Sequence, residues 1–421
     1  MNALPRLLRG VRSDATLTLD EHLSLHGALP ATGRDAGARI LDAVEESGLR
    51  GRGGGHVSTA LKLRAVASRR RRAVVVANGA ESEPASRKDA VLLTHAPHLV
   101  IDGAVAAATA VHADEVVLYV KPSAVRSWQA VTRALAERRG ADNGGVTLRL
   151  AAAGDGYVTG QETAVIAALN DRPALPSTVP PRPFERGVRN RPTLVCNVET
   201  LAHVALIARH GAEWFRSAGS ASQPGTALVT LGGAVERTGV YEIPFGSRLA
   251  DLLHRAGGTT EAPQALLVGG YGGTWLDARH LGDLTLSAEH PLLAAGSIGA
   301  GVLWVLGERS CGVWESARIL GYLAEQSAGQ CGPCLYGLRA IAGTFDELAT
   351  GSAGPKDRAR LARWGAEVTD RGACRHPDGA ARLLATALTV FEHEIDRHAA
   401  GRCAAAHPPA MPVPAADREA A

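Results

Sequence analysis

Between Asp35 and Gly48 the chain reads DAGARILDAVEESG, with Ala36, Ile40 and Val44 spaced by four on one face, the period of an amphipathic helix. Gly48 is its expected stop, because glycine enters the left-handed conformation that ends helices without a Cβ penalty. RAVVVANGA and DEVVLYVK are short apolar runs bounded by turn residues, and each lies beside an Ala/Leu-rich helical stretch. That alternation predicts parallel strands covered by helices.

From Asn170 to Pro192 six prolines interrupt any regular pattern, which predicts a long ordered loop. From Gly225 the periodicity shortens. TALVTLGGAVERTGVYEIPFGSRLADLLHRAGG reads as strand, Gly-Gly turn, strand, then a helix stopped by Gly257 and Gly258, a small β-grasp-like unit. After Ser310 the period becomes helical again: Leu338, Ile341, Phe345 and Leu348 form one stripe and Leu384, Leu388, Phe391 and Ile395 another, the signature of a bundle core. The expected organisation is an α/β domain over 1–215, the β-grasp unit over 222–309, a helical domain over 310–400 and a disordered tail over 404–421.

Composition narrows the partners. Lys plus Arg (45) nearly balances Asp plus Glu (42) for a net charge of +3, so nothing points to nucleic acid. The Arg69–Arg72 run reads as a solvated turn before a strand. The longest uncharged stretch, Pro291 to Gly307, is broken by four glycines and is too short to span a bilayer. With no charged and apolar leader pattern, a cytoplasmic location without direct membrane insertion is expected. Six cysteines are too few for a disulfide framework in a chain this long and read as metal ligands, redox groups or core residues. Aromatics are scarce at 4% while glycines number 48, which suggests close backbone approach to something.

Several segments carry that suggestion. SGLRGRGGGHVSTALK places Gly51, Gly53, Gly54 and Gly55 ahead of a helix, where backbone N–H groups can cradle a phosphate and Arg52 and Lys62 can neutralise it. VVVANGAESEPASRKDA sets Asn78, Glu81 and Glu83 at a strand end, where ligands bind in open α/β sheets. Carboxylates there suit ribityl hydroxyls, a flavin edge or a carboxamide better than a phosphate. GDGYVTGQETAVIAAL brings Tyr157, Gly160, Gln161 and Glu162 to a third helix entry, and RPTLVCNVETLAHV brings Asn197, Glu199 and Thr200 to a fourth. Each is equally readable as a helix cap. Near the C-terminal end, Cys331-Gly-Pro-Cys334 spells a thioredoxin dithiol, but it follows a helical pattern rather than the strand such a site requires.

These segments, in this order, resemble the flavin- and NADH-binding subunits of respiratory complex I, a family that includes diaphorase subunits of NAD-linked hydrogenases and formate dehydrogenases. The family's Gly-Leu-Arg-Gly-Arg-Gly-Gly stands unbroken as Gly48–Gly54, and Asn197-Val-Glu-Thr-Leu201 keeps the fourth motif. The resemblance implies a Rossmann-like FMN-binding domain, then a β-grasp domain of the SLBB type, then a helical iron–sulfur domain. It implies that Gly51, Arg52, Gly53, Gly54, Lys62, Asn78, Glu81, Gly160, Glu162, Asn197 and Thr200 hold FMN. It implies too that Glu83 and Tyr157 face the nicotinamide dinucleotide, with Glu83 and Glu162 as the catalytic candidates.

The family also carries Cys-x-x-Cys-x-x-Cys and a remote fourth cysteine around a 4Fe-4S cluster. Cys331, Cys334 and Cys374 match three of these positions, whereas Ala328 stands at the first. Three outcomes stay open: a cube completed by Ser327, water or an external thiolate, a three-iron cluster, or no cluster. Other departures are His56 for a glycine, Ala80 for an acidic residue, Cys196 for an asparagine, and Val57 and Ala65 for two aromatics that stack on adenine in the family. Stacking of this kind contributes on the order of 1–3 kcal/mol per base, so dinucleotide binding is expected to suffer more than FMN binding.

The resulting expectation is an oxidoreductase component of the diaphorase type. It would pass electrons between NAD(P)H and a partner redox protein, a 2Fe-2S or ferredoxin-like subunit, within a hetero-oligomer. The alternatives are a flavoprotein fed by a ferredoxin, or a redox-inactive scaffold.

Overall fold

The computed structural model describes residues 4–30, 35–140, 143–287, 289–293, 298–354, 356–403 and 409–414. Its first sheet contains β1 (Ala73–Gly79), β2 (Ala113–Val120), β3 (Thr147–Ala152) and β4 (Thr193–Asn197). All neighbours are parallel, in the order β3-β2-β1-β4, which fulfils the expected Rossmann-like arrangement. β1 and β2 are buried almost throughout because helices cover both faces, so their sequences are continuous apolar runs rather than alternating ones. The helix Ala36–Ser47 ends at Gly48 with φ 69°, as its pattern predicted. Another close approach was not visible in advance: a Cβ on Gly103 would stand 1.7 Å from the Leu201 carbonyl oxygen. The helices Pro97–Ala110 and Val198–Arg216 therefore pack with almost no side chain between them.

The second sheet contains β5 (Thr226–Gly233), β6 (Gly239–Pro244), β7 (Pro263–Val268), β8 (Thr274–Asp277) and β9 (Val302–Gly307). Its order is β6-β5-β9-β7-β8, with β5 and β9 parallel and the other pairs antiparallel. This is the mixed sheet of a β-grasp, with the helix Leu249–Arg255 following the first hairpin.

Beyond it lie the helices Gly312–Glu325, Arg339–Thr350, Asp357–Val368, His376–Val390 and Glu392–Ala399. The eight residues of the two predicted apolar stripes are all buried in one core with Trp275 and Tyr271 of the second sheet. A π-helical turn over Pro333–Leu338 precedes the second of these helices and carries Cys334.

Of the tail expected to be disordered, 404–408 and 415–421 lie outside the described residues. Residues 409–414 correct the expectation. Met411 is buried, and the N–H groups of Ala410 and Met411 donate to Glu315 at 2.8 and 3.2 Å. An apolar side chain and two donors found a docking surface that composition alone did not reveal. Among the described residues, no single helix is long and apolar enough to cross a membrane.

Candidate functional site

The order β3-β2-β1-β4 reverses direction between β1 and β4, the place where open α/β sheets bind ligands beyond their carboxyl ends. Asn78 and Asn197 are register partners there. Each is held by its neighbours. Asn78 donates to the Gly160 carbonyl at 2.8 Å, while Asn197 caps the helix Val198–Arg216 by accepting from Glu199 N–H at 3.0 Å and donates to Asp89 at 2.6 Å.

A cleft of about 1660 Å³ opens over this point. Gly51, Gly53, Gly54, Gly55, Lys62, Asn78, Glu81, Glu83, Tyr157, Gly160, Glu162, Asn197 and Thr200 all line it, so the four sequence segments converge as expected. The glycine loop is closed by an Arg50–Ser58 bridge and by Gly51 N–H donating to the Val57 carbonyl at 2.9 Å. Its crown is open, because a Cβ at Gly55 would meet nothing within 4 Å. Lys62, on the helix Thr59–Ala67, reaches the Val195 carbonyl at 2.8 Å and Glu162 at 3.3 Å.

Three expected contacts turn out differently. The Arg52 guanidinium does not face the cleft: it donates to the Thr226 carbonyl at 3.0 and 3.2 Å and lies over the Phe245 ring. Burial lowers its pKa to about 10 against the opposing pull of Glu199. Its place in the site is its backbone N–H, which donates to the Thr200 hydroxyl at 2.8 Å. Thr200 thereby fastens the loop. Glu81 accepts from the N–H groups of Asp89 and Ala90 and from Ser86, so it caps the helix Lys88–His95. Burial and the neighbouring Asp89 carboxylate raise its pKa.

Glu83 does meet Tyr157, whose hydroxyl donates to it at 3.1 Å. Tyr271 N–H donates to the same oxygen at 2.9 Å, and Ala85 N–H donates to the other at 3.3 Å. Even so, burial pushes its pKa up to about 7. The approach from the second sheet requires Gly270, where φ is 89° and a Cβ would sit 2.4 Å from the carboxylate. The GGYGG turn between β7 and β8 was legible as a glycine cluster, but nothing local tied it to Glu83.

Sequence reasoning also left Lys88 without a role. It is a buried ammonium bonded to Asp89 at 2.8 Å and Glu199 at 2.9 Å, and Glu199 in turn accepts from Leu228 N–H of β5 at 2.9 Å. Burial opposes the lysine charge, but the two carboxylates outweigh it and raise its pKa. This charge pillar joins the first sheet to the second.

The cysteine triplet lies on the far wall. Cys374 lines the cleft itself, and the three sulfurs sit close enough to influence one another's ionisation. The backbone N–H groups of Ala373, Ala328 and His376 favour the thiolates of Cys331, Cys334 and Cys374 respectively, against the burial that opposes them. None of the three is in a disulfide.

Comparison with known proteins follows the same three regions. Residues 44–206 match the model of the Nuo51 FMN-binding domain, 228–273 the SLBB domain, and 315–398 the iron–sulfur binding region of NADH-ubiquinone oxidoreductase-F. The F subunit of the Mycobacterium tuberculosis NADH-quinone oxidoreductase is 32% identical over 378 residues, 86% of this chain and 85% of that one. The chain belongs to the family of these NADH-quinone oxidoreductase F subunits. The corresponding Streptomyces coelicolor protein is also 32% identical, over 86% of this chain and 83% of that one. The HndC subunit of the NADP-reducing hydrogenase of Solidesulfovibrio fructosivorans is 26% identical over 93% and 82%. Among solved structures, an NAD+-reducing NiFe hydrogenase in the H2-reduced state superposes with a TM-score of 0.80 at 30% identity, covering 94% of this chain and 67% of that one.

The family's groups can be tested against this site. For FMN the fit is good: a closed glycine loop with an open crown, the Lys62 ammonium, and amide and carboxylate groups of Asn78, Glu162 and Asn197 surround one cleft. Its volume exceeds the roughly 300–1,000 Å³ of a single small-ligand pocket, leaving room for a dinucleotide. The wall offers no aromatic at the loop, since Val57 there is 52% exposed. For an iron–sulfur cluster the donor set is three thiols with backbone N–H groups aimed at them. The fourth place holds the half-buried methyl of Ala328.

Proposed function

We propose that this chain is an FMN- and iron–sulfur-dependent electron-transfer subunit that passes electrons between NAD(P)H and a redox partner protein, as an NAD(P)H dehydrogenase of the diaphorase type. The observation that carries this reading is a single cleft whose near side is the glycine loop with Lys62 and whose far wall includes Cys374. A flavin held at the loop and a cluster held at the thiols would then share one cleft.

The glycine loop and Lys62 would bind and orient the FMN phosphate. Asn78, Glu162 and Asn197 would hold the flavin's polar edge. FMN supplies the conversion between a two-electron donor and one-electron steps. Glu83, protonated in part at neutral pH, can hold or release a proton at Oε1, which would lie beside a bound dinucleotide, while Tyr157 and Tyr271 donate to Oε2 and fix the carboxyl's direction. Cys331, Cys334 and Cys374 would hold a cluster that carries electrons singly. The half-exposed Cys331 loop, with Tyr336 77% exposed beside it, suits contact with a 2Fe-2S or ferredoxin-like subunit in a hetero-oligomer, and a cytoplasmic location accords with the sequence.

Flavin and iron analysis of the purified chain, followed by anaerobic bleaching with NADH or NADPH, tests this. Stoichiometric FMN that is bleached by either dinucleotide supports it. Ala328 favours a second reading, a redox-inactive scaffold, which a colourless protein releasing no flavin would establish instead.

A further inference from the structure

A second cluster of sulfur and nitrogen donors lies apart from the cleft, built from residues that no motif united. Cys311 caps the N-terminus of the helix Gly312–Glu325, its sulfur accepting from Trp314 N–H at 3.4 Å. His398, on the helix Glu392–Ala399, brings Nε2 to 3.1 Å from that sulfur. Cys403 brings its own sulfur to 4.0 Å. The three donor atoms lie within 4.8 Å of one another, the cluster of this kind found among the described residues.

The spacing is that of ligands around one ion. A tetrahedral zinc with bonds of about 2.3 Å to sulfur and about 2.0 Å to nitrogen sets its sulfurs about 3.8 Å apart and a sulfur–nitrogen pair about 3.5 Å apart. A disulfide would need the sulfurs at about 2.0 Å. The imidazole is also oriented as a ligand. His398 Nδ1 hydrogen-bonds the Ala349 carbonyl at 2.6 Å, so Nδ1 carries the proton and Nε2 presents its lone pair to the sulfurs, the arrangement usual for metal-bound histidines. Trp314 N–H, from the helix terminus, partly offsets the burial that disfavours negative charge on the Cys311 sulfur. Glu394 precedes His398 by one helical turn and comes to 3.9 Å from the same sulfur while accepting from Gly312 N–H at 3.0 Å. Two thiolates and an imidazole are a donor set for zinc rather than magnesium or calcium.

We propose that Cys311, Cys403 and His398 bind one Zn2+ ion, with the fourth position taken by water or by Glu394. On binding, each thiol gives its proton to solvent and the neutral imidazole adds without proton loss. The ion would pin the chain after Ala399 to the start of the helix Gly312–Glu325. From there residues 409–414 run back along that helix, held by Glu315 and by Arg318, whose guanidinium reaches the Met411 carbonyl at 3.3 Å. The same helix leads into the Cys331 loop, so the clasp would steady the wall that carries the other triplet. This site is independent of the flavin and cluster reading, because it shares no residue with either.

The test is titration of the full-length protein, in reducing buffer, with Co2+ and then Zn2+. The expected result is about one equivalent of Co2+ giving the absorption of tetrahedral thiolate coordination and displaced by Zn2+. Cys403→Ser, which alters a residue near the chain end, and His398→Gln should each weaken binding by at least about tenfold. Cys331→Ser with Cys334→Ser should leave the spectrum unchanged while removing bound iron, which separates the two sites. Absence of a thiolate spectrum in the parent would overturn the proposal, as would its persistence in a Cys311→Ser/Cys403→Ser variant or its loss only with Cys331 and Cys334. Recovery of Cys311 and Cys403 as a disulfide from reduced protein would do the same.

Discussion

The near and far walls of the cleft have diverged to different degrees. On the near side, the charged groups and amides are answered, the Arg52 N–H by Thr200, Asn78 by Gly160, Asn197 by Asp89, and Lys88 by two carboxylates, while the His56 ring and the Thr59 hydroxyl are buried without a hydrogen-bond partner among the described residues. On the far side, three thiols and a methyl occupy what the family builds from four thiols. The difference teaches that a buried charge network and a metal centre tolerate loss differently. Removing one partner from a dry ion cluster strands a charge, whereas a cluster can accept a non-cysteine ligand without disturbing the fold around it.

The comparison breaks most sharply at Lys88. Lys88→Ala leaves Asp89 buried without a counter-ion and Glu199 with only Arg52 at 3.8 Å, and should lower the unfolding free energy by about 3–5 kcal/mol, read by denaturant titration. A loss under about 1 kcal/mol, the range of an exposed pair, would refute the pillar.

Glu83 comes next. Its carboxyl is held at about 7 by burial, above the roughly 4.3 of an unfolded chain. The folded form therefore binds the proton more tightly. Its contribution is complete below about pH 4 and is lost as pH rises through 7, amounting to about 3–4 kcal/mol. Glu83→Gln should abolish that share of the stability slope between those limits, and an unchanged slope would remove Glu83 from the titrating groups.

Lys62→Ala tests the phosphate cradle. A charge-assisted hydrogen bond contributes about 1.5–3 kcal/mol, so FMN should bind about 10- to 100-fold more weakly in a fluorescence titration, while Lys62→Arg retains most of the affinity. Equal affinity in Lys62→Ala would move the phosphate elsewhere.

The smallest effect on stability is expected at Ala328→Cys, within about 0.5 kcal/mol as for a half-exposed site. Iron should nonetheless rise to about four per chain. Iron that stays at the parent level would show that the wall has changed by more than one ligand.

Much of this was readable from local pattern. The helix Ala36–Ser47, β1, β2 and the first hairpin of the second sheet announce themselves by period and turn residues, since each depends on neighbours a few positions away. The glycine loop and the Cys331–Cys334 spacing are equally local. The direction of Arg52 was not readable, because its guanidinium partner, the Thr226 carbonyl, is remote in sequence. Glu81 resembles a ligand group in sequence because a carboxylate at a strand end and a helix cap have the same local appearance. Met411 has the surroundings of a disordered tail because its docking partner is Glu315 on a distant helix.

The sequence by itself determined the order of the regions, the glycine cradle and the three family-like thiols, all of which follow from residue type and short spacing. Only the tertiary structure decided which charges face the cleft and which are spent inside, that Gly270 lets Tyr271 reach Glu83, and that Cys311, His398 and Cys403 meet. A side chain's direction is settled by the donors and acceptors that remain once the backbone has packed, and those come from distant parts of the chain.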